Sequence, residues 1–421
     1  MTPDQTRGSD LPRRTDVLVV GAGPTGLSLA CGLARRGVDH VVIDHAPLVA
    51  ANSQAALIDA RTLEALDTID AGSPLVRRGV ILTRFALCDR DEQLLAVHFS
   101  ELPSRHPYML MVPENTAEGL LAERLASYGS PIRRPVTAVA LQQNADGVTV
   151  ELWDGSTSRS GSPTRRSIVA RYVVGCDGMH SQIRRALEIP FVGPSRTECF
   201  VMADVRMTWS LPRSEAQLFF SAQGFLIVAP LPDDRYRILA TVDRNNEYPE
   251  LDDLQEILAS RGPRSSPALV SDVAWSAGFQ IHHRLATHYR SGRVFLAGDA
   301  AHVHSPASGQ GMISGIQDAL HLADKLSDVL VELADGSVLN DYEDERRPVA
   351  ESALRLTRRL SRIATMQGRV GPSIRNRSLR VIGLLPALRR SFAYQLSGFD
   401  GSRGLRGGPR DRKLLLASNR R

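Results

Sequence analysis

Residues 15–26 read TDVLVVGAGPTG, and that stretch decides the fold. Thr15–Val20 is an apolar, β-branched run of strand length. Gly21, Gly23 and Gly26 follow it as GxGxxG, and SLACGLARRG continues as a helix ended by Gly37. HVVID, residues 40–44, is a second strand. Each glycine has its own reason: Gly21 permits a tight turn, Gly23 lets the backbone approach a pyrophosphate, and Gly26 lets helix and strand pack closely. The helix N-terminus, opened by Pro24 and Thr25, attracts the anion. Asp44, ending the second strand, is placed to accept hydrogen bonds from the adenosine ribose. The unit predicts a bound dinucleotide but does not separate FAD from NAD.

Outward from this unit, RTLEALDTI (61–69) and ENTAEGLLAERLASYG (114–129) predict helices. VTAVALQQNADGVTVELWDG (136–155) predicts a hairpin, and ARYVVGCDGMHSQIRRAL (170–187) a strand, a turn and a helix. Between about 190 and 290 short alternating runs are broken by Pro, Gly and Asp, with one polar helix at 251–262. That pattern predicts an antiparallel sheet and a second lobe. GRVFLAGDAAH (292–302) returns to the first lobe, and residues 313–333 form a long amphipathic helix.

Composition narrows the function classes. Only Lys325 and Lys413 are lysines, so the many arginines reflect the coding bias of a GC-rich genome rather than a binding device. Cys31, Cys88, Cys176 and Cys199 show no CxxC or metal-ligand spacing, so reduced buried thiols and no metal site are expected. The polar first fourteen residues lack the apolar core of a signal peptide, and no apolar run approaches about 18 residues. A cytoplasmic protein without a transmembrane segment is expected. Net charge is +5, yet 17 Arg and Lys face 2 acidic residues from Arg355 onward. Basic helices packed on an acidic body are expected, with a membrane-surface contact as the alternative; nucleic acid is not expected, since no nucleic-acid motif accompanies the charge.

Two later segments separate the cofactors. GCDGMHSQIR (175–184) resembles the second short signature of the flavoprotein aromatic hydroxylases, the class A FAD-dependent monooxygenases that include para-hydroxybenzoate hydroxylase and polyketide hydroxylases. GRVFLAGDAAHVHSPASGQGMISGIQDALHLADKL (292–326) resembles their third, and YEDERRPVA (342–350) their usual sequel. The resemblance covers most of residues 15–350 in the family's order. It implies an α/β fold: a Rossmann-like FAD-binding lobe, a discontinuous antiparallel-sheet substrate lobe and C-terminal helices. The expected division is 15–83, 108–188 and 290–350 for FAD, 84–107 and 189–289 for substrate, 351–400 as helices, and 401–421 as a disordered basic tail.

Site residues follow from the same resemblance. Asp299, beside Gly298, matches the aspartate that holds the ribityl chain, a role suited to a group accepting from several hydroxyls. The carbonyl of Pro306 matches one beside the flavin ring. Gly309, Gln310, Gly311 and Met312 begin a helix whose amides face the flavin's pyrimidine edge, where negative charge develops on reduction. Asp177 and Gly178 match a turn touching FAD and NAD(P)H, Arg184 is a candidate for the pyridine nucleotide, and Arg61 of the RTLE helix is kept. For a general base, His282 is carried as the candidate in the second lobe, with His283, Tyr236 and Tyr108 beside it.

The implied reaction is hydroxylation of an aromatic or polyketide-type substrate. NAD(P)H, a transient reductant, reduces the flavin, and a flavin hydroperoxide formed with O2 delivers the oxygen. Reduction of a quinone or isoprenoid without oxygen transfer, or a flavin-binding partner protein with drifted activity, are the alternatives. The sequence departs from the family pattern at Gln54 for Arg, Glu114 for Gln, Ile313 for Asn, Ser308 for Gly and Asp324 for Trp, and Gln54, Glu114 and Ile313 motivate the partner-protein reading.

Overall fold

The computed structural model describes residues 11–48, 57–155, 164–193, 198–243, 246–281, 283–303, 310–364 and 371–399. The fold is α/β. β1 (Arg14–Val20) lies inside an eight-stranded mixed sheet, paired in parallel with β2 (His40–Ile43) and with the strand Thr164–Gly175. Ile132–Arg133 extends the parallel set beyond β2, and Val294–Leu296 extends it on the other side. Val17, Leu18 and Val19 are fully buried, as a central strand covered on both faces requires. Each such side chain contributes about 2 kcal/mol of burial.

Ten helices are described: α1 (Pro24–Arg35), α2 (Ala60–Asp67), α3 (Gly72–Val76), α4 (Glu114–Ser127), α5 (Gln182–Ala186), α6 (Leu251–Arg261), α7 (Gln310–Leu330), α8 (Asp341–Ala364), α9 (Gly371–Leu384) and α10 (Pro386–Leu396). α1 and α7 cross with almost no side chain between them. A Cβ on Gly32 would stand 2.7 Å from that of Ala323. Small residues on both helices therefore fix how near α7 comes to the glycine turn.

The second sheet has seven strands, ordered Leu269–Ile281, Glu198–Thr208, Arg235–Val242, Gly224–Leu231, Glu215–Ser221, Arg84–Asp89 and Glu92–His98. Alternation along these strands produces two apolar faces. One packs under α6 through Val201, Ala203 and Ile238. The other carries Phe200, Phe220 and Phe225, and meets Met109, Met111 and residues of α9 and α10. Those last two helices are also held by charge. Arg380 pairs with Glu92, Arg390 with Glu101 and Arg375 with Asp89, so the basic C-terminal segment lies on an acidic hairpin.

Among the described residues no group of His, Cys, Asp and Glu could hold a metal ion, and the four cysteines are free thiols. Nor, among the described residues, is any helix long and apolar enough to cross a membrane. Residues 401–421 lie outside the described residues.

Candidate active site: a crevice at the strand ends

β1, β2, Thr164–Gly175 and Val294–Leu296 all end at one edge of the first sheet, where α1 and α7 begin. Their loops form a crevice of the kind open parallel sheets use for ligands. Gly21 has φ +105°, and its N–H donates to Ile43 O at 2.8 Å. A Cβ there would meet Cys176 O at 2.3 Å, and one on Gly26 would meet Gly21 O at 1.9 Å. Gly23 differs. A Cβ on it would find nothing within 4 Å, so its backbone faces open space. Pro24 fills the first helical position, where its missing N–H costs nothing, and no side chain caps α1. The free amides of that first turn are left for a ligand's anion.

Asp44 is held rigidly in this crevice. Its carboxylate accepts from the N–H groups of Ala22 at 2.6 Å and Ala46 at 2.8 Å. Arg134 closes the same corner, bonded to Ala22 O at 3.2 Å and Glu118 at 3.4 Å, and 3.9 Å from Asp44. Burial pushes Glu118 up to about 7 against the opposing charge of Arg134, while Glu114 and Asp44 raise it further. The sequence reading missed both Arg134 and Glu118. Its signal was the dipeptide Arg133–Arg134, legible only once Ile132–Arg133 is recognised as a strand beside β2.

On the other side, the 3-10 turn Gly298–Ala300 brings Asp299 into the crevice. Gly298 adopts φ +61° and lies against Thr25, as does Gly315 of α7: a Cβ on either would approach Thr25 Oγ1 within 2.5 Å. Asp299 is open to solvent at the crevice mouth, yet set so deep in protein that burial pushes its carboxyl up to about 6. The charge of His302 opposes the shift and that of Glu114 adds to it. Among the described residues its carboxylate has no hydrogen-bond partner, which suits a ligand carrying several hydroxyls.

A buried ionic cluster holds this turn in place. Asp318 of α7 accepts from His302 Nε2 at 2.6 Å and Arg346 Nε at 2.6 Å, and its Oδ2 also takes the Gly298 N–H at 3.3 Å. Its own side chain and those of His302 and Arg346 are at most 2% exposed. Burial would raise Asp318, but Arg346 and His302 outweigh it and hold the carboxyl at about 2. GDAAH, the QDAL helix and the ERRP segment are thus locked to one another.

The remaining expected site residues are engaged within the protein or lie outside the described residues, with Asp177 beside the Gly21 turn. Asp177 Oδ2 accepts from the N–H groups of Gln182 and Ile183 and so caps α5, next to Gly178 at φ +75°. Arg184 was expected to contact a pyridine nucleotide, but its guanidinium is committed inside the protein. It is 5% exposed, donates to Ala300 O and Met179 O at 2.8 Å each, and lies 3.9 Å from the centre of the Phe191 ring. It ties the Asp177 turn to the Asp299 turn. Arg61 has Arg346, Asp59 and Glu64 as charged neighbours. Gly311 and buried Met312 begin α7 with Gln310. Pro306, Gly309, Ser308, His282 and Gln54 lie outside the described residues.

Of the alternative bases, Tyr236 sits on the α6 face of the second sheet under Arg213, away from the other lobe. Tyr108 is bonded to His106, which in turn reaches Asp67 at 2.7 Å. His283 is buried at 3% exposure. Among the departures, Ile313 is buried at 4%, and Asp324 pairs with Arg36 at 3.2 Å.

A profile described as "FAD binding domain" matches residues 14–357, the span that contains every loop of the crevice. The chain belongs to the FAD-dependent aromatic hydroxylase family. It is 34% identical to 6-methylpretetramide 4-monooxygenase of Streptomyces rimosus over 391 residues, covering 91% of this chain and 69% of that one. The crystal structure of p-nitrophenol 4-monooxygenase from Pseudomonas putida superposes with a TM-score of 0.83 at 25% identity, covering 94% of this chain and all of that one. Anhydrotetracycline hydroxylase from Streptomyces rimosus matches with a TM-score of 0.73 at 32% identity, covering 92% and 76%.

This family member is accordingly an FAD-dependent monooxygenase, and NAD(P)H is the family's reductant. The residues present fit the cofactor: an open glycine backbone, uncapped helix amides, a fixed Asp44 and an Asp299 without a hydrogen-bond partner among the described residues. When bound, FAD supplies hydride acceptance and oxygen activation. The chain's own residues bind and orient it.

Two outcomes test these assignments. Arg134→Met should weaken FAD binding about tenfold while leaving FMN binding unchanged, because FMN lacks the adenosine end that Asp44 is proposed to hold. Fluorescence titration with both flavins checks this. Asp299→Asn should gain stability over the flavin-free wild type as pH rises. The wild-type carboxyl binds its proton more tightly folded (about 6) than unfolded (about 3.9), so its contribution is full below pH 4 and lost through pH 6. Urea midpoints of both proteins at pH 4.5 and 7.5 show whether the difference grows.

Proposed function

We propose that this monooxygenase hydroxylates a polycyclic, polyketide-type aromatic, held against the aromatic face of the seven-stranded sheet. One observation carries the reading. Phe200 and Phe279 stack at 6.2 Å between ring centres, Phe225 tilts against Phe200 at 5.9 Å, and half-buried Trp275 and Phe279 lie on the same face. Flat apolar rings match such a platform, since offset and edge-on aromatic contacts add about 0.5–1.5 kcal/mol each beyond burial. Arg237 and Asp204 form a paired contact at 2.7 and 2.8 Å on strands of this sheet. By strand alternation both share the face of Phe200 and Leu239, giving a polar point where a ring oxygen can be oriented.

Two relatives support the substrate class by name, a pretetramide monooxygenase and an anhydrotetracycline hydroxylase. In this reading the crevice residues Gly21, Gly23, Thr25, Asp44, Asp177 and Asp299 hold FAD, with the start of α7 at its ring. The aromatic face positions the substrate, and burial of that face keeps water from the reacting atoms. O2 is the co-substrate. Purified protein with FAD, NADPH or NADH, and a panel of phenols and polycyclic polyketides, tests it. Substrate should accelerate NAD(P)H oxidation, and label from 18O2 should appear in the product. Oxidation without label would favour the quinone- or isoprenoid-directed reaction instead.

A further inference from the structure

The basic C-terminal helices are anchored on one side and bare on the other. Leu379 and Ile382 of α9 pack against the cluster of Phe200 and Phe225. At Gly383 the α9 backbone comes so near the strand Glu92–His98 that an added Cβ would stand 3.3 Å from Leu94 O. The outward side of α9 is apolar as well. Ile374, Val381 and Leu384 recur at i, i+7 and i+10, which is one stripe of a helix. All three are exposed, Leu384 at 79%. The turn into α10 continues the stripe through exposed Leu385, Pro386, Ala387 and Leu388. Turns ordinarily carry Gly, Pro, Asn, Asp and Ser; this one reads GLLPAL, residues 383–388. Among the described residues, five of the fifteen exposed large apolar side chains fall between Ile374 and Leu388, so the patch is concentrated, not scattered.

The same surface is positive. Residues 371–399 contain five arginines and no Asp or Glu. Arg375, Arg380 and Arg390 pair with Asp89, Glu92 and Glu101 of the hairpin beneath. Arg377 and Arg389 have no acidic partner among the described residues, and Arg377 stands exposed within the apolar stripe, three residues on from Ile374. A second copy of the chain suits this surface poorly. A two-fold contact sets a patch against itself, here arginine against arginine. Five apolar side chains also fall well short of the about 20–30 residues that each side of a stable protein interface supplies. A bilayer surface carrying anionic lipid suits it on both counts, since it takes up leucine and attracts arginine.

We propose that the α9–α10 corner docks the protein on membranes containing anionic lipid. Leu384, Leu385 and Leu388 enter the interfacial layer, and Arg377 and Arg389 meet the negative headgroups. The contact is peripheral: α9 has 14 residues and α10 has 11, against the about 20 needed to span a bilayer. Docking does not rest on the substrate proposal.

Co-sedimentation of the full-length, flavin-loaded protein with vesicles tests the proposal, comparing phosphatidylcholine alone with phosphatidylcholine containing about 30% phosphatidylglycerol. The protein should pellet with the anionic vesicles and at least about tenfold more weakly with the neutral ones. High salt should weaken the anionic binding several-fold, because it screens the headgroup charge. The double variant Leu384→Ser, Leu388→Ser should lose about tenfold in vesicle affinity, as should Arg377→Gln with Arg389→Gln, all at unchanged FAD content. Leu384 and Leu388 are exposed, so their replacement leaves the fold intact. No pelleting, equal pelleting with both vesicles, or undiminished binding by the leucine variant would overturn it. A wild-type dimer that the leucine variant splits into monomers in sedimentation velocity would overturn it too, and would give the patch to a second copy.

Discussion

Asp318→Ala should lower stability by about 3–5 kcal/mol, because it leaves the Arg346 guanidinium buried without its counter-charge. The loss should reach the cofactor as well. Asp318 also bonds His302 and the Gly298 N–H, so its removal frees the turn that presents Asp299. Urea unfolding measures the first effect and FAD titration of the surviving folded protein the second. The wild-type pair also has a pH signature. With Asp318 at about 2 folded and about 3.9 unfolded, its contribution is full above pH 4 and lost as pH falls through 2. Asp318→Asn should therefore lose least, relative to wild type, in strong acid. Unchanged stability in Asp318→Ala would mean the cluster holds nothing together.

The second large effect separates two glycines that look alike in sequence. Gly26→Ala puts a Cβ 1.9 Å from the backbone oxygen of Gly21, which no rotamer can relieve. It should destabilise the protein by at least about 1–3 kcal/mol and abolish measurable FAD binding. Gly23→Ala meets nothing within 4 Å. Its stability should stay within about 0.5 kcal/mol of wild type, while FAD affinity falls at least about tenfold because the methyl would stand where the pyrophosphate is proposed to approach. Thermal melts and titrations of the two variants side by side decide it. Equal behaviour would show that the open space at Gly23 is not a ligand's space.

Much of this was legible in the letters. The β1 turn, the hairpin at 136–154, α6 and α7 follow from period, glycine placement and length, because each is specified by local pattern. Ile132–Arg133 was not, since two residues carry no period; its identity comes from pairing with β2, a contact about 90 residues distant. The 13-residue strand Leu269–Ile281 was also hidden, its alternation broken by Ser and Gly. The dinucleotide unit pointed to Asp44 and the family signature to Asp299. They did not reveal that Arg184 is spent on two carbonyls, or that Arg134 stands beside Asp44. Both depend on where a long side chain ends, which packing decides. Asp318, His302 and Arg346 were each visible inside a motif, but the buried cluster joining them was visible only in three dimensions.

The central claim is that the crevice between Asp44 and Asp299 holds FAD. Titration of FAD into flavin-free protein, followed by flavin fluorescence, tests it most directly when wild type is compared with Asp44→Ala and Asp299→Ala. Saturable one-to-one binding by wild type, weakened at least about tenfold in each variant, is the predicted result. Binding of equal strength in all three, or none by wild type, would contradict the account.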